Sequence, residues 1–158
     1  MKKRKKNGNF CQTFLKRDAL ASDLFEKQII PFSISFAGMT LSTIIGLFDQ
    51  ISTTNPNYRY CKNMADHIRK VAHPSVRNIG TIGGNLMLKH SYQDFPSDLF
   101  LLIETIGAKL MIKSPDVPSV SVSPLEFLAM DMNKKVLMYI EFPPTTDSFF
   151  TYKTMQRY

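Results

Sequence analysis

The residues best suited to bind a ligand lie in one glycine-rich segment, R-N-I-G-T-I-G-G-N at residues 77–85. Paired glycines let a ligand approach the backbone closely, and amide N–H groups left free in such a turn can point at a phosphate. Thr81 adds a hydroxyl donor and Asn85 adds a side-chain amide. The spacing matches neither G-x-G-x-x-G nor a Walker loop. Composition alone therefore leaves two interpretations, a turn that binds an anionic cofactor and a tight structural turn with a capping asparagine.

Other chemistry-bearing residues do not form a recognisable catalytic group. The three histidines are His67, His73 and His90. None of them has a cysteine or carboxylate at metal-ligand spacing. Asp94 and Asp98 are four residues apart, but a proline between them prevents both from sharing one helix face. No G-x-S-x-G nucleophile motif occurs in the sequence, so we predict no catalytic residue and no metal site.

The elements that position the glycine-rich segment follow from hydrophobic patterning. Residues 32–36 alternate between apolar and polar, which predicts a strand, and Gly38 interrupts the pattern. Apolar residues at helical spacing follow Thr40, which is a favourable N-cap. A strand followed by a helix also argues against a membrane span over residues 28–48, which carry no charge and have the length to cross a bilayer.

The rest of the chain predicts short helices and strands. A second helix is expected over residues 60–72, whereas residues 76–95 show no clear period and are expected to form a long functional loop. A third helix begins at Ser97 or Asp98 and ends near Gly107. A capping box over residues 123–126 starts another helix, and strands are expected at residues 108–113, 117–122, 136–142 and 149–155. This order predicts an α+β fold with a mixed or antiparallel sheet and flanking helices.

Charge is concentrated at the start of the chain. The 158 residues carry a formal net charge of +7, and subtracting the five basic residues at positions 2–6 leaves +2. Such a run is typical of a solvated tail, and it also fits a contact with nucleic acid, a membrane surface or an import receptor. We predict that residues 1–30 form a basic tail and an unassigned segment. The two cysteines, Cys11 and Cys61, form no C-x-x-C pair, which favours a reducing, cytoplasmic setting.

Three strings resemble the FAD-binding (PCMH-type) domain of the xanthine dehydrogenase and aldehyde oxidase family of molybdenum hydroxylases, in its insect aldehyde-oxidase form. They are V-R-N-I-G-T-I-G-G-N-L-M at residues 76–87, F-P-S-D-L at 95–99 and G-A-K-L at 107–110. The resemblance covers residues 38–158. It implies an oxidoreductase domain that uses FAD as a flavin station, passing electrons from iron–sulfur clusters to NAD+ or oxygen.

The resemblance also implies which residues contact the cofactor. They are Thr81, Gly83, Gly84, Asn85, Asp98, Leu137 and Lys153. In that family the hydroxyl of Thr81 and the carboxylate of Asp98 would contact FAD, while the two glycines and the asparagine would shape the loop. Leu137 would lie beside the isoalloxazine ring. Lys153 would approach the flavin, where a cation favours the negative charge of a reduced flavin.

The family's flavin domain has two parts, and the resemblance covers the second. Residues 1–37 contain no V-G-N-T phosphate loop, and the 2Fe–2S and molybdopterin domains have no counterpart in these 158 residues. We therefore expect residues 31–158 to be a partial, truncated FAD-binding domain that is incomplete at its C-terminal end. Such a fragment would not oxidise an aldehyde or purine alone, and would bind free FAD weakly or not at all.

Two functional interpretations remain. In the first, the partners are FAD and the missing iron–sulfur and molybdenum domains, with a homodimer in the intact enzyme and no membrane or nucleic-acid partner. In the second, the chain is a degenerate non-catalytic scaffold or a basic-tailed module for nucleic-acid or protein interaction. The second interpretation rests on the five basic residues at positions 2–6, because no basic patch with interleaved aromatics follows.

Overall fold

A computed structural model describes residues 32–35, 37–115, 118–147 and 149–151. Within these ranges the strands are β1 (Phe32–Ser35), β2 (Lys109–Lys113), β3 (Val120–Val122) and β4 (Val136–Phe142). The α-helices are α1 (Leu41–Thr54), α2 (Tyr60–Ile68), α3 (Pro74–Ile79), α4 (Ile82–Ser91), α5 (Asp98–Thr105) and α6 (Pro124–Ala129), and a 3-10 turn covers Pro56–Tyr58. The predicted α+β class is confirmed.

The four strands form one sheet in the order β1-β4-β2-β3, and every neighbouring pair is antiparallel. Of the two arrangements expected, mixed or antiparallel, the sheet has the antiparallel one. Ile140 of β4 pairs with Leu110 of β2, which in turn pairs with Val122 of β3. The register between β2 and β4 shifts between Met111 and Ile112, as at a β-bulge.

The core lies between one face of this sheet and the helices. The buried strand residues are Leu110 and Ile112 of β2 and Leu137, Ile140 and Phe142 of β4. The ring of Phe142 meets Phe48 of α1 edge-to-face with centroids 5.4 Å apart. Fully buried side chains from the helices include Ile44, Met64, Ile68, Leu86, Leu99, Ile103 and Phe127. Burying each such side chain stabilises the fold by roughly 1.5–3 kcal/mol.

The strand-to-helix interpretation of residues 32–48 is confirmed. Thr40 caps α1, because its Oγ1 accepts a hydrogen bond from the amide of Thr43 at 3.3 Å. Ile44 and Phe48 lie on the buried side of this helix. In the part of the chain that the structure describes, no helix has the length and hydropathy needed to cross a bilayer.

Helix α2 ends at Ile68, earlier than the predicted residue 72. The chain turns there because one side chain satisfies carbonyl groups beyond the helix end. The Nη1 group of Arg77 donates to three backbone carbonyl oxygens, those of Arg69, Val71 and Ala72, at 2.8, 3.1 and 2.7 Å. Ala72 itself adopts a left-handed φ of 56°.

The prediction of a long irregular loop over residues 76–95 is wrong. Helices α3 and α4 occupy most of it, separated by Gly80 and Thr81. The hydrophobic pattern gave no signal because α3 has no buried residue and α4 buries only Ile82, Gly83 and Leu86. Short helices with so narrow a buried stripe do not show the periodicity that identifies a longer amphipathic helix.

Local capping signals were more reliable than periodicity. Ser97 caps α5 by accepting from the amide of Phe100 at 3.0 Å. Gly107 has a φ of 66°, and its amide donates to the carbonyl of Glu104, the pattern of a Schellman motif. Glu126 completes the predicted capping box at the start of α6.

The strand predictions differ from the structure mainly in length. β2 begins one residue later than expected, β3 covers only Val120–Val122, and β4 has the predicted bounds. Residues 116–117 lie outside the described residues, and they include the first residue of the strand predicted at residues 117–122. Of the strand expected at residues 149–155, the described residues 149–151 belong to no strand, and the others lie outside the description.

Candidate functional site

An open cavity of about 300 Å³ lies where three segments meet. These are the connection between β1 and α1, the first turns of α4, and the start of β4. The lining residues are Ala37, Gly38, Thr81, Gly83, Gly84, Met87, Lys135, Val136 and Leu137. Its volume is at the lower end of the range of roughly 300–1,000 Å³ for small-molecule sites.

Backbone hydrogen bonds fix the amino end of α4 against the connection that follows β1. The amide of Gly83 donates to the carbonyl of Ala37 at 2.7 Å, and the amide of Ile82 donates to the carbonyl of Met39 at 3.2 Å. On the other side of the same contact, Thr40 and Thr81 form an isolated antiparallel bridge. The glycine-rich helix start is therefore anchored to the β1–α1 connection by main-chain contacts.

The same connection is tied to β4. The amide of Ala37 donates to the carbonyl of Met138 at 3.1 Å. Ala37 thus bridges β4 and α4 through its own N–H and C=O groups. Leu137 directly precedes Met138 in β4. The two hydrogen bonds of Ala37 therefore bring Leu137 and Gly83 to the wall of the same cavity.

The two glycines of the pair have different surroundings. A Cβ atom at Gly83 would lie 2.5 Å from both the Cβ atom and the carbonyl oxygen of Ala37, where no side chain fits. A Cβ atom at Gly84 would lie 2.9 Å from Oγ1 of Thr81, which is a side-chain atom. Gly83 therefore permits close packing of two backbone segments, while Gly84 is exposed at the cavity.

The expectation of free, ligand-facing amides in residues 81–85 is wrong for residues 82–85. The amides of Ile82 and Gly83 donate to backbone carbonyls, and that of Gly84 donates to Oγ1 of Thr81 at 3.0 Å. The amide of Asn85 makes an ordinary helical bond to the carbonyl of Thr81. The reason is that the segment is the capped start of a helix, so its first amides are satisfied within the protein.

The structure brings four of the seven predicted site residues together at the cavity. These are Thr81, Gly83, Gly84 and Leu137. Asn85 does not line it, because its Oδ1 accepts a hydrogen bond from Oγ of Ser97 at 2.5 Å. Asp98 is half-buried in the first turn of α5, where the helix dipole favours a negative charge, and does not line it either. Lys153 lies outside the described residues.

Five lining residues were not predicted, namely Ala37, Gly38, Met87, Lys135 and Val136. Lys135 and Val136 directly precede Leu137 in the sequence, and Met87 lies one helical turn after the glycine pair. These three residues could have been found as neighbours of the predicted site residues. Nothing local identified Ala37, whose role depends on long-range hydrogen bonds. Lys135 is half-buried, and its Nζ donates to the carbonyl of Asp131 at 2.7 Å.

Two of the histidines have structural partners away from the cavity. Nδ1 of His73 accepts from the amide of Ser75 and caps α3. Nε2 of His90 lies 2.8 Å from the carbonyl oxygen of Met130, and its ring lies 5.0 Å from that of Phe127. Among the described residues, no group of three or more histidine, cysteine or acidic side chains is placed to hold a metal ion.

A charged cluster joins Asp49 of α1 to Lys62 and Asp66 of α2 and to Arg69 just after that helix, and none of its residues lines the cavity. Lys62 lies 3.2 Å from carboxylate oxygens of Asp49 and Asp66, and Arg69 forms ion pairs with the same two acids. Burial alone would raise the pKa of Asp49, but hydrogen bonds and charges from Arg69 and Lys62 outweigh it and hold the pKa below its ordinary value. Exposed pairs of this kind each contribute about 0–1 kcal/mol.

The fold and the cavity define an α+β domain with a ligand-sized site between a helix start and a sheet strand. Residues 36–145 match the family described as the FAD binding domain in molybdopterin dehydrogenase. The chain belongs to this family. The resemblance to the flavin domain of xanthine dehydrogenases and aldehyde oxidases is thereby confirmed.

Several plant aldehyde oxidases are similar to this chain. Abscisic-aldehyde oxidase of Arabidopsis thaliana is 32% identical over 114 residues, which cover 70% of this chain and 8% of the relative. Indole-3-acetaldehyde oxidase of the same plant is 34% identical over 89 residues, 55% of this chain and 6% of the relative. Probable aldehyde oxidase 4 of Oryza sativa subsp. japonica is 39% identical over 70 residues, which cover 42% of this chain and 8% of the relative. The chain thus spans less than a tenth of these relatives.

Proposed function

We propose that this chain is the flavin station of an aldehyde oxidase-like or xanthine dehydrogenase-like oxidoreductase. In this role a bound FAD receives electrons from iron–sulfur clusters and delivers them to NAD+ or oxygen. The observation that carries the proposal is the cavity itself, where Thr81 and the glycine pair of α4 meet Leu137 of β4. These residues come from segments that are distant in sequence, and family membership supports FAD as the ligand.

The cavity wall suits the ring end of FAD. Ala37, Met87, Val136 and Leu137 supply apolar surface, which is what a flat aromatic ring requires. We assign Leu137, which is 6% exposed, to the position beside the isoalloxazine. Thr81 keeps a hydroxyl proton for a ligand, because its Oγ1 acts as acceptor in the helix cap.

Three further residues belong to the proposal without lining the cavity. Asn85 would act by fixing Ser97, and so the start of α5, relative to α4. Asp98 would contact a part of FAD that extends past the cavity toward α5. Lys153 would approach the flavin from the chain beyond residue 151, where its charge would favour a reduced, anionic ring.

The intact protein is part of the proposal as well. Residues 31–158 would be the second part of a flavin domain. Its partners would be the iron–sulfur and molybdopterin domains that occur in this family of enzymes. The chain alone would then oxidise no aldehyde or purine. We place the assembled enzyme in the cytoplasm as a homodimer. The names of the relatives point to an aldehyde as the source of electrons.

The test is a titration of the purified full chain with FAD, followed by flavin fluorescence and difference absorbance. We expect saturable binding that is strongly weakened by Val136→Asp, since this exposed side chain lines the cavity and a carboxylate there opposes an apolar ring. Val120→Asp is the matched control, an exposed strand valine that does not line the cavity.

Circular dichroism would establish that both variants are folded. Equal binding by the wild-type chain and Val136→Asp would contradict the assignment of the cavity. Because binding is expected to be weak, the titration extends to about 1 mM FAD, and no binding by the wild type at that concentration would contradict the proposed function. A chain that binds no flavin but binds DNA with a steep salt dependence would instead favour the basic-tailed interaction module.

A further inference from the structure

Lys135 brings a positive charge to the wall of the cavity. It is the one charged residue among the described residues that line the cavity, and it is half-buried there. None of the ion pairs between described residues includes it. In this part of the chain no carboxylate therefore lies within ion-pair distance of Lys135, and its charge is available to a ligand.

The turn before β4 holds the Lys135 side chain in place. Its Nζ donates to the carbonyl of Asp131 at 2.7 Å, and its amide donates to the carbonyl of Met132 at 3.1 Å. The carboxylate of Asp131 accepts from the amide of Asn133 at 2.9 Å. Because an ammonium group has more than one hydrogen to donate, the bond to Asp131 leaves donors of Lys135 for a ligand.

The chemistry of the cavity wall indicates which part of a flavin Lys135 would meet. Met87, Val136 and Leu137 are apolar and suit the ring, whereas Thr81 and Lys135 are the lining residues whose side chains can donate hydrogen bonds. The oxidised flavin ring is uncharged, but the phosphates of FMN and FAD are anions. A lysine ammonium binds phosphate by charge-assisted hydrogen bonds, which are stronger than neutral ones.

We propose that Lys135 is a cofactor-contacting residue whose ammonium group binds a phosphate of the flavin, so that the chain binds FMN and FAD more tightly than riboflavin. The inference rests on the proposed function and adds a residue that distinguishes phosphorylated flavins from riboflavin. A single charge-assisted bond at a half-buried position should make this preference about tenfold.

The experiment compares titrations of the full chain with riboflavin, FMN and FAD in the wild type and in Lys135→Met, which removes the ammonium group. Lys134→Met is the matched control, because Lys134 is an exposed lysine of the same turn that does not line the cavity. We expect Lys135→Met to weaken the binding of FMN and FAD about tenfold and to leave riboflavin binding unchanged. Lys134→Met should bind all three flavins as the wild type does.

A conservative variant separates a phosphate contact from a purely structural role of the turn. Lys135→Arg retains a cation that can bind phosphate, so its affinity for FMN should lie closer to that of the wild type than to that of Lys135→Met. Circular dichroism would establish that each variant is folded. If Lys135→Met does not fold, the comparison of riboflavin with FMN in the wild type and in Lys135→Arg still tests the preference.

The inference and the proposed function fail in different ways. Riboflavin that binds the wild type as tightly as FMN would overturn the inference. An equal loss of riboflavin and FMN binding in Lys135→Met would also overturn it, since Lys135 would then act on the fold or the ring and not on a phosphate. Both results leave the proposed function standing. If the wild type binds none of the three flavins, the proposed function fails and the inference fails with it.

Discussion

The amide of Gly83 donates a 2.7 Å hydrogen bond to the carbonyl oxygen of Ala37, and a Cβ atom at Gly83 would lie 2.5 Å from that oxygen. The backbone of the β1–α1 connection thus packs directly against the first turn of α4. Ala37 also donates to Met138 of β4. One residue therefore holds together the helix and the strand that form the cavity.

This contact predicts that Gly83→Ala destabilises the protein. Because backbone atoms of Ala37 occupy the space, we expect a loss of about 1–3 kcal/mol in the free energy of unfolding, typical of overpacking. Gly46→Ala is the control, since Gly46 lies inside α1 and a Cβ atom there would meet nothing within 4 Å, so alanine should stabilise the helix by about 0.5–1 kcal/mol. Urea unfolding measures both, and a Gly83→Ala chain as stable as the wild type would contradict the close approach.

A second prediction concerns the guanidinium group of Arg77, which donates hydrogen bonds to carbonyl groups just after α2. Arg77→Met removes a donor to three carbonyl oxygens, and we expect a loss of about 1–2 kcal/mol because the site is only half-buried. Arg59→Met, at an exposed position, should change stability by less than about 0.5 kcal/mol. Chemical denaturation compares the two variants, and equal effects would mean that the three bonds contribute nothing.

The pH dependence of stability should carry a contribution from Asp49. Its folded-state pKa lies below the ordinary value of 3.8, so its ion pairs stabilise the protein above that pH and are lost as the pH falls through the lower folded-state pKa. We expect Asp49→Asn to lose less stability than the wild type between pH 5 and pH 3. Asp94→Asn, an exposed acid outside the cluster, should retain the wild-type slope. Identical slopes for wild type and Asp49→Asn would refute the role of the cluster.

The thiol of Cys61 should be unreactive in the folded protein. The side chain is fully buried, and burial raises its pKa to about 12. Since the thiolate is the reactive form, a Cys11→Ser chain should show almost no labelling by a thiol reagent at about pH 8 until urea unfolds it. Rapid labelling of the native chain would show that the region around α2 opens readily.

Free FAD should bind the chain with a dissociation constant above about 1 μM. A diphosphate that lacks two to four charge-assisted hydrogen bonds, each contributing roughly 1.5–3 kcal/mol, loses about 3–12 kcal/mol of binding free energy. Even the smaller loss lowers affinity about a hundredfold. Calorimetry measures this directly. Submicromolar affinity would mean that residues 1–37 supply a phosphate cradle.

Several features of this protein followed from the sequence because they depend on residues within one helical turn. The caps at Thr40, Ser97 and Ser123 and the left-handed Gly107 each involve a side chain or backbone conformation acting on its near neighbours. The bounds of strand β4 were also predicted correctly from the sequence. The R-N-I-G-T-I-G-G-N string identified the family.

The tertiary structure decided how that string is used. The sequence suggested a loop with free amides, but the contact with Ala37 makes the same residues a capped helix whose amides bond within the protein. It also decided that Leu137 joins Thr81 at the cavity while Asn85 turns toward Ser97. These outcomes depend on hydrogen bonds and packing between segments distant in the chain, and no local pattern of residue types specifies which distant carbonyl or side chain an amide will meet.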